Sequence, residues 1–430
     1  MPGCSPNCVA MLMAGVERGA VPERVRYRLA ALLSHPIQYQ APLLRLLAQD
    51  PAIDLTVFFC ARVGAEAWID PGFGVSVQWD TPVLDGYRHV FLRNLAPRPS
   101  VDRFFGLINP GVMRALGRER WDALLVHGYA HLTNWLAFAA CRLRRIPVLL
   151  RGESTPHRPT VPLRRAVRSA VLRRLCAGTA ACLTIGTLNA EFYRSLGVPA
   201  GKLFHTPYAV DNERFVAAAE ALRLRRDEIR RRLGIPFERV LLLFSGKLIP
   251  RKRPLDLLRA IARPGLEGAV AGFVGDGELR PVLEAEARRL GGDRVRFFGF
   301  KNQQELAGYY AAADVFVLPS QFETWGLVVN EAMCFGLPVV TTTAVGAWRD
   351  LVREGWNGSV VPPGDVDALS AALARLVGDA GARAEMGRRS RERIATWSHQ
   401  AAVEGIKAAL RAVAGAPRPA RGASSASCAS

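Results

Sequence analysis

Short apolar runs alternate with longer stretches of helical periodicity along most of the chain. In the first half, runs such as LTVFFC, DALLV and ACLTI are each followed by a segment with apolar residues at helical spacing. The alternation restarts at VLLLF (240–244) and continues through AVAGFV, VRFFGF, DVFVLP and PVVTT. Strands that alternate with helices predict parallel sheets covered on both faces. The expected fold class is therefore α/β, with two doubly wound, Rossmann-like domains.

The same pattern sets the expected domain boundaries. Both ends of the chain lack clear periodicity, and an Arg- and Glu-rich stretch without an apolar strand separates the two halves. The predicted segments are a mobile extension (1–24), an N-terminal Rossmann-like domain (25–212), a connecting helical segment (213–236), a C-terminal Rossmann-like domain (237–395), a terminal helix that returns to the first domain (396–413) and a disordered tail (414–430).

The chain is strongly basic, with a formal net charge of +19. This charge makes nucleic acid, anionic lipid and anionic small molecules candidate partners. Only five of the 57 basic residues are lysines, which indicates a compositional bias toward arginine and makes the few lysines the more informative cations. The arginines are dispersed and form no recognised nucleic-acid-binding module, so we expect no nucleic-acid partner.

The cysteines and the hydropathy pattern indicate a cytoplasmic protein. The chain has eight cysteines and no C-x-x-C pair, so we expect neither a disulfide framework nor a zinc site. Free cysteines in apolar surroundings are typical of a reducing compartment. No apolar run reaches the ~20 residues that a membrane-spanning helix needs.

A basic, glycine-containing loop follows the first strand of the second domain. Ser245-Gly246-Lys247 comes directly after VLLLF, and Pro250-Arg251-Lys252 follows. Ligands of doubly wound sheets bind at the carboxyl ends of the strands. Glycine permits close backbone approach, and cations hold phosphate oxygens. Two of the five lysines fall in this loop, which favours phosphate binding over a solvated basic surface.

Two glutamates flank a predicted helix start in the sequence ETWGLVVNEAM. Glu323 follows the strand DVFVLP, Gly326 lies in the turn, and Glu331 lies on the helix that begins there. The start of a helix offers free N–H groups to a diphosphate. Carboxylates accept hydrogen bonds from sugar and ribose hydroxyls, so the two glutamates fit opposite sides of one bound group.

Several ordered motifs make the chain resemble a known family. FSGKLIPRKRP, VGDG, VRFFGF, YYAAADVFVLPSQFETWGLVVNEAMCFGLPVV and GWNGSVVPPGD are similar, in this order, to retaining glycosyltransferases of family 4, and Glu323 to Glu331 matches their E-x7-E motif. The resemblance implies a GT-B fold, in which two Rossmann-like domains face a central cleft. It also implies an N-terminal acceptor domain and a C-terminal domain that binds a nucleoside diphosphate sugar, with UDP favoured.

The resemblance implies a role for each matching residue of the C-terminal half. Lys247 and Lys252 stand at the positions of the family's Arg and Lys that hold the diphosphate. The backbone amides of Gly326 and Leu327 face the phosphates.

The two carboxylates match different parts of the donor. Glu331 matches the residue that binds the ribose hydroxyls, and Glu323 matches the one that contacts the donor sugar. Enzymes of this kind need no metal or other cofactor for the chemistry. The D-x-D sequence at 365–367 is accordingly interpreted as a proline turn with an Asp helix cap rather than a metal site.

The N-terminal half departs from the family pattern. His35, in the Ser-His-Pro turn after the first strand, replaces a Gly-Gly turn and is expected on the acceptor side. His127 resembles the His-bearing loop after a central strand. Glu153 stands where many members carry a His beside the donor sugar, and we expect His127 and Glu153 on the catalytic side. Tyr208 and Ala209 replace the Asn-Gly that precedes the linker.

A basic amphipathic helix is predicted at 162–176, PLRRAVRSAVLRRLC. Leu163, Ala166, Val167, Ala170 and Val171 form its apolar face, and five arginines border it. Such helices can lie on anionic membranes. An ordinary solvated face is the alternative.

The sequence thus predicts a retaining hexosyltransferase that acts on an unknown acceptor hydroxyl in glycan, glycolipid or secondary-metabolite synthesis. A GT-B-type nucleotide-sugar epimerase or phosphorylase is the first alternative, and a nucleic-acid-binding protein is the second.

Overall fold

The computed structural model describes residues 26–70, 72–156, 162–290 and 292–415. The predicted mobile extension at 1–24 and nearly all of the predicted disordered tail at 414–430 lie outside these residues.

The N-terminal domain is built on a seven-stranded parallel sheet with the order β5-β2-β1-β6-β7-β8-β9. Its strands are β1 (Tyr27–Leu33), β2 (Ile53–Phe59), β5 (Arg88–Phe91), β6 (Ala123–His127), β7 (Val148–Arg151), β8 (Ala181–Thr184) and β9 (Leu203–His205). An antiparallel hairpin of β3 (Trp68–Asp70) and β4 (Val75–Val77) projects from it. The helices are α1 (Ala41–Gln49), α2 (Gly111–Arg118), α3 (Leu132–Arg144), α4 (Pro162–Gly178) and α5 (Thr187–Ser195).

The C-terminal domain has a six-stranded parallel sheet with the order β12-β11-β10-β13-β14-β15. Its strands are β10 (Val240–Ser245), β11 (Ala269–Val274), β12 (Val295–Gly299), β13 (Val315–Leu318), β14 (Val339–Thr342) and β15 (Gly358–Val361). Its helices are α8 (Pro254–Ile261), α9 (Arg280–Arg289), α10 (Gln303–Ala312), α11 (Leu327–Cys334), α12 (Trp348–Leu351), α13 (Val366–Gly378) and α14 (Ala380–Ala395).

The strand sequences explain why both sheets are buried. All six residues of β10 and all six of β11 are buried, because helices cover the sheet on both faces. This double coverage explains the continuous apolar runs VLLLFS and AVAGFV. Asp365 caps α13, since its Oδ1 accepts a hydrogen bond from the backbone amide of Ala368 at 2.8 Å.

The segment expected to be one connecting helix is two helices, α6 (Asn212–Arg223) and α7 (Arg226–Arg232). Both pack against α10 of the C-terminal domain. Arg226 and Arg230 reach Asp314 at the start of β13, with N–O distances of 2.6 and 2.9 Å. These ion pairs, one of them to the buried Arg230, and the helix packing therefore make this segment part of the C-terminal domain. The periodicity of 213–236 did not show the break between the two helices.

The last helix, α15 (His399–Ala414), lies against α1, β8 and β9 of the N-terminal domain. Five of its residues are buried in that domain's core, namely Ala402, Val403, Ile406, Ala409 and Leu410. The chain therefore crosses between the domains twice, once before α6 and once after α14. In the part of the chain that the structure describes, no helix has both the length and the apolarity to cross a bilayer.

Removal of the Asp314 carboxylate is predicted to destabilise the protein strongly. Arg230 is 1% exposed, so Asp314→Ala leaves a buried guanidinium without its partner and should cost about 3–5 kcal/mol. Asp367→Ala is the matched control, because the Asp367 side chain is 81% exposed in its ion pair with Arg263. Its cost should stay below about 1 kcal/mol. Denaturant unfolding checks both values, and equal losses in the two variants would contradict the prediction.

Candidate active site

The carboxyl ends of the two parallel sheets face each other across a cleft. A cavity of about 860 Å³ lies in this cleft and is lined by both domains. The N-terminal wall includes His127, Tyr129 and Glu153, and the C-terminal wall includes Arg251 and Phe322. The cleft thus collects the loops that follow strands of both sheets, which is where doubly wound sheets bind their ligands.

The loop after β10 is a tight turn that carries two lysines. Gly246 has φ of +143°, a conformation that L side chains rarely adopt, and a Cβ there would lie 3.2 Å from the Nζ of Lys252. The missing side chain lets Lys252 lie over the loop backbone. Lys252 Nζ is 2.8 Å from Glu323 Oε1, which places the predicted diphosphate and sugar contacts side by side.

Lys247 has a partner that the sequence did not predict. Its Nζ lies 2.6 Å from Asp70 Oδ1, at the end of β3 in the N-terminal domain. Phe73 of the same hairpin lies under Lys247 and packs edge-on against Phe300, with ring centroids 4.9 Å apart. The hairpin therefore bridges the cleft. The carboxylate of Asp70 is paired with Lys247, the cation that was expected to bind a diphosphate. No periodic signal in this Gly-, Pro- and Trp-rich stretch could have revealed the contact.

The start of α11 supplies unpaired backbone donors to the same region. Gly326 caps the helix with φ of +99°, and Leu327 is the first helical residue. The first amides of a helix have no intrahelical acceptor, and the helix dipole adds partial positive charge there. A bulkier residue at 326 would be strained and would meet Val345 at 3.0 Å. The geometry suits an anion in front of the helix.

The two glutamates of the motif lie in different environments. Glu323 is 8% exposed in the loop between β13 and α11, beside Lys252. Glu331 is 6% exposed inside α11 and accepts a 2.8 Å hydrogen bond from the hydroxyl of Tyr310. Burial raises the pKa of Glu331 to about 7, and the hydrogen bond from Tyr310 opposes this rise. Tyr310 was not identified from the sequence as a partner of Glu331.

The N-terminal wall carries a buried polar cluster. Glu153 follows β7, and its Oε1 accepts a 2.5 Å hydrogen bond from the hydroxyl of Tyr208 and lies 3.4 Å from His127 Nε2. Gln40 Nε2 lies 2.8 Å from the same nitrogen of His127. Burial, followed by the nearby Arg151, lowers the pKa of His127 to about 3, so this imidazole is neutral at physiological pH. Burial raises the pKa of Glu153.

His35 lies close to this cluster without being a wall residue of the cavity. Its Nδ1 is 2.9 Å from Ser34 Oγ, and Ser34 lines the cavity. Burial, followed by the neighbouring His127 and His131, lowers the pKa of His35 to about 4. His35 is therefore a neutral hydrogen-bonding group at the edge of the cleft.

The basic helix α4 presents an apolar stripe to solvent. Val167 and Val171 are 60% and 43% exposed, whereas Leu172 and Cys176 are buried against the domain. Arg168 does not belong to the solvated basic face, because it donates hydrogen bonds to Tyr129 Oη and Ser154 Oγ at 2.8 and 3.0 Å. The side chains of residues 162–165 lie outside the described set.

Comparison with known proteins places these motifs in a family. Residues 225–393 match the family model described as glycosyl transferases group 1. A D-inositol 3-phosphate glycosyltransferase of Geodermatophilus obscurus is 34% identical over 324 residues, which cover 70% of this chain and 66% of the relative. That of Thermomonospora curvata is 43% identical over 162 residues, or 35% of this chain and 37% of the relative. The chain thus spans from about one third to two thirds of these relatives' lengths.

Solved structures share the whole architecture at low identity. Sucrose-phosphate synthase from Thermosynechococcus elongatus is 22% identical, with a TM-score of 0.66 over 90% of this chain and 98% of that one. Anabaena HepE in complex with UDP is 18% identical, with a TM-score of 0.66 over 89% of this chain and 99% of that one. These likenesses confirm the predicted two-domain GT-B fold. The chain therefore belongs to the group 1 glycosyltransferases, a family of GT-B enzymes.

Proposed function

We propose that this protein transfers a hexose, with retention at the anomeric carbon, from a nucleoside diphosphate sugar to an acceptor hydroxyl. The observation that carries the proposal is the grouping of Lys252, Glu323 and the start of α11 at one edge of the C-terminal sheet, with Glu331 inside that helix. HepE has been crystallised in complex with UDP and with UDP-glucose, which supports a UDP sugar as the donor here.

In this proposal the donor lies across the carboxyl end of the C-terminal sheet. Lys252 and the amides of Gly326 and Leu327 bind the diphosphate, and Glu331 accepts from the ribose hydroxyls. Lys247 joins them once the diphosphate replaces Asp70 as its partner. The sugar then extends into the cavity between Glu323 and the N-terminal wall.

The chain's contribution to the reaction is positioning and charge stabilisation. The acceptor oxygen attacks the anomeric carbon from the face that the diphosphate leaves, the bond to the diphosphate breaks, and the acceptor proton passes to a phosphate oxygen. Lys252 and the helix start stabilise the charge that develops on the leaving group. Glu323, in the loop that contributes Phe322 and Thr324 to the C-terminal wall, and Glu153, on the N-terminal wall, stabilise positive charge at the sugar ring. No metal is required in this scheme.

A donor screen tests the proposal directly. Saturation-transfer NMR with a panel of nucleoside diphosphate sugars should identify one that binds, and turnover should depend on an added acceptor. Turnover that depends on inorganic phosphate would indicate a phosphorylase, and turnover without an acceptor would indicate an epimerase. Absence of nucleotide-sugar binding, with steeply salt-dependent binding to DNA duplexes, would favour the nucleic-acid alternative.

We also propose that α4 brings the protein to anionic membranes from the cytoplasmic side. The exposed stripe of Val167 and Val171 and the adjoining exposed Arg173 and Arg174 support this contact. It would suit an acceptor that is itself held in a lipid surface.

Lys252→Ala should weaken binding of the nucleoside diphosphate about tenfold to a hundredfold. It removes the ammonium group, and a charge-assisted hydrogen bond contributes about 1.5–3 kcal/mol. Lys247→Arg should bind normally, since arginine holds phosphate equally well. Lys202→Ala, on the far side of the N-terminal domain, is the control. Isothermal titration calorimetry with UDP checks the ranking, and equal affinities for Lys252→Ala and Lys202→Ala would refute it.

The two glutamates should affect different kinetic constants. Glu331→Ala removes a contact with the ribose in both the ground and transition states, so KM for the donor should rise more than kcat falls, and free UDP should bind more weakly. Glu323→Gln removes charge beside the sugar, so kcat should fall while UDP affinity stays nearly unchanged.

The measurement is steady-state kinetics and UDP titration at pH 8, where Glu331 is ionised because its pKa is about 7. Glu305→Ala, an exposed glutamate on α10, serves as the control. If both motif substitutions weaken free UDP binding equally, the division of roles is wrong.

Substitution of the exposed apolar stripe should release the protein from anionic vesicles. Wild-type protein should float with vesicles of phosphatidylglycerol and phosphatidylcholine, and Val167→Asp combined with Val171→Asp should abolish flotation. Val282→Asp on α9, also at a half-exposed valine, is the matched control. If the wild type stays in the soluble fraction at low salt, the proposed membrane contact does not exist.

A further inference from the structure

Two positions at which the chain departs from the family pattern contact each other directly. Glu153 replaces a histidine after β7, and Tyr208 replaces an asparagine in the segment that crosses between the domains. The hydroxyl of Tyr208 donates to Glu153 Oε1 at 2.5 Å, although the two residues are 55 positions apart. The two departures from the family pattern therefore meet in one hydrogen bond.

The Tyr208 side chain is held in place from several sides. It is 4% exposed, its ring packs edge-on against Tyr39 with centroids 5.7 Å apart, and the Arg151 guanidinium lies 5.3 Å from its centroid. The hydroxyl therefore has little freedom to point elsewhere. Glu153, in contrast, keeps 29% of its side chain exposed and lines the cavity. One oxygen of the carboxylate is fixed, and the group still faces the space between the domains.

The backbone of Tyr208 is fixed by the opposite domain. Its carbonyl accepts hydrogen bonds from Asn330 Nδ2 of α11 at 3.0 Å and from Trp397 Nε1 at 3.1 Å. Asn330 directly precedes Glu331, the residue proposed to bind the ribose. One residue thus connects the donor-binding helix with the carboxylate on the other wall of the cleft.

We propose that Tyr208 is a positioning residue that keeps Glu153 ionised and directed toward the donor sugar. This inference rests on the proposed function and extends it to a second carboxylate. An ionised Glu153 accepts hydrogen bonds from sugar hydroxyls and stabilises positive charge at the ring, whereas a protonated one loses that charge. The tyrosine hydroxyl stabilises the charged form because it donates to it.

The groups around Glu153 determine in which direction its pKa should change when the Tyr208 hydroxyl is removed. Burial raises the pKa of Glu153, and the hydrogen bond from Tyr208 and the charge of Arg151 lower it. His127 stays neutral, since burial lowers its pKa to about 3. The titratable and charged groups facing Glu153 in the described residues come from five strands or loops. They are His127, Arg151, Tyr39, Tyr208 and, across the cavity, Arg251. Removal of the Tyr208 hydroxyl leaves burial less opposed, so the pKa of Glu153 should rise.

The test is a titration of Glu153 itself together with a pH profile of transfer. Protein labelled with carbon-13 at the glutamate carboxyl groups is titrated by NMR, and the Glu153 signal is assigned by its loss in Glu153→Gln. In Tyr208→Phe its midpoint should rise by about one pH unit, the size expected for a hydrogen bond to a charged group. The acid limb of kcat should shift by the same amount, and the affinity for free UDP should stay within about twofold.

Two further variants distinguish a positioning role of Tyr208 from a general loss of structure. Tyr309→Phe, on α10 outside the cleft cluster, should move neither the midpoint nor the acid limb. Glu153→Asp, titrated in protein labelled with carbon-13 at the aspartate carboxyl groups instead, withdraws the carboxylate from an intact Tyr208 by one methylene. Its midpoint should also be raised above that of wild-type Glu153, despite the lower ordinary pKa of aspartate. If Tyr208→Phe does not fold, the titration midpoint of Glu153→Asp tests the proposal instead.

The outcomes distinguish this inference from the proposed function. A shifted midpoint in a protein that transfers no sugar supports the hydrogen bond's role and overturns the transferase. Transfer with an unshifted midpoint, or a loss of kcat that is equal at every pH, overturns the role of Tyr208 and leaves the transferase in place.

Discussion

The parallel direction of the strands determines where the loops that carry most of the candidate site residues lie. In each domain the strands run the same way, so the loops at their carboxyl ends collect at one edge of the sheet. His127 ends β6, Glu153 follows β7, Lys247 follows β10, and Glu323 follows β13. Because the two domains face each other across these edges, residues far apart in sequence form the walls of one cleft.

Charge is distributed unequally between the two walls. The C-terminal wall combines Lys252 with the partial positive charge at the start of α11, whereas the N-terminal wall carries neutral histidines and the partly exposed Glu153. An anionic group is therefore favoured on one side and a neutral or cation-like group on the other. The ion pair between Lys247 and Asp70 fits this division, since the protein supplies its own anion to the positive wall.

The sequence was sufficient to predict features that depend on local pattern and insufficient for side-chain contacts between residues far apart in the sequence. Continuous apolar runs predicted the buried strands, and the spacing of Glu323, Gly326 and Glu331 predicted their order around a helix start. The pairing of Lys247 with Asp70 and of Tyr208 with Glu153 could not be predicted, because neither partner carries a periodic signal that identifies its neighbour across the fold. The bond of Arg168, one of the five arginines of the helix predicted at 162–176, to Tyr129 could not be predicted either, since arginine on an amphipathic helix is usually solvated.

The most direct test of the account is a crystal structure of the protein with a nucleoside diphosphate hexose bound. The account predicts diphosphate oxygens within hydrogen-bond distance of Lys252 Nζ and the amides of Gly326 and Leu327. It also predicts ribose hydroxyls at Glu331 and the hexose in the cavity between Glu323 and Glu153. A nucleotide bound elsewhere, or one bound in the cleft with its ribose away from Glu331, would contradict it.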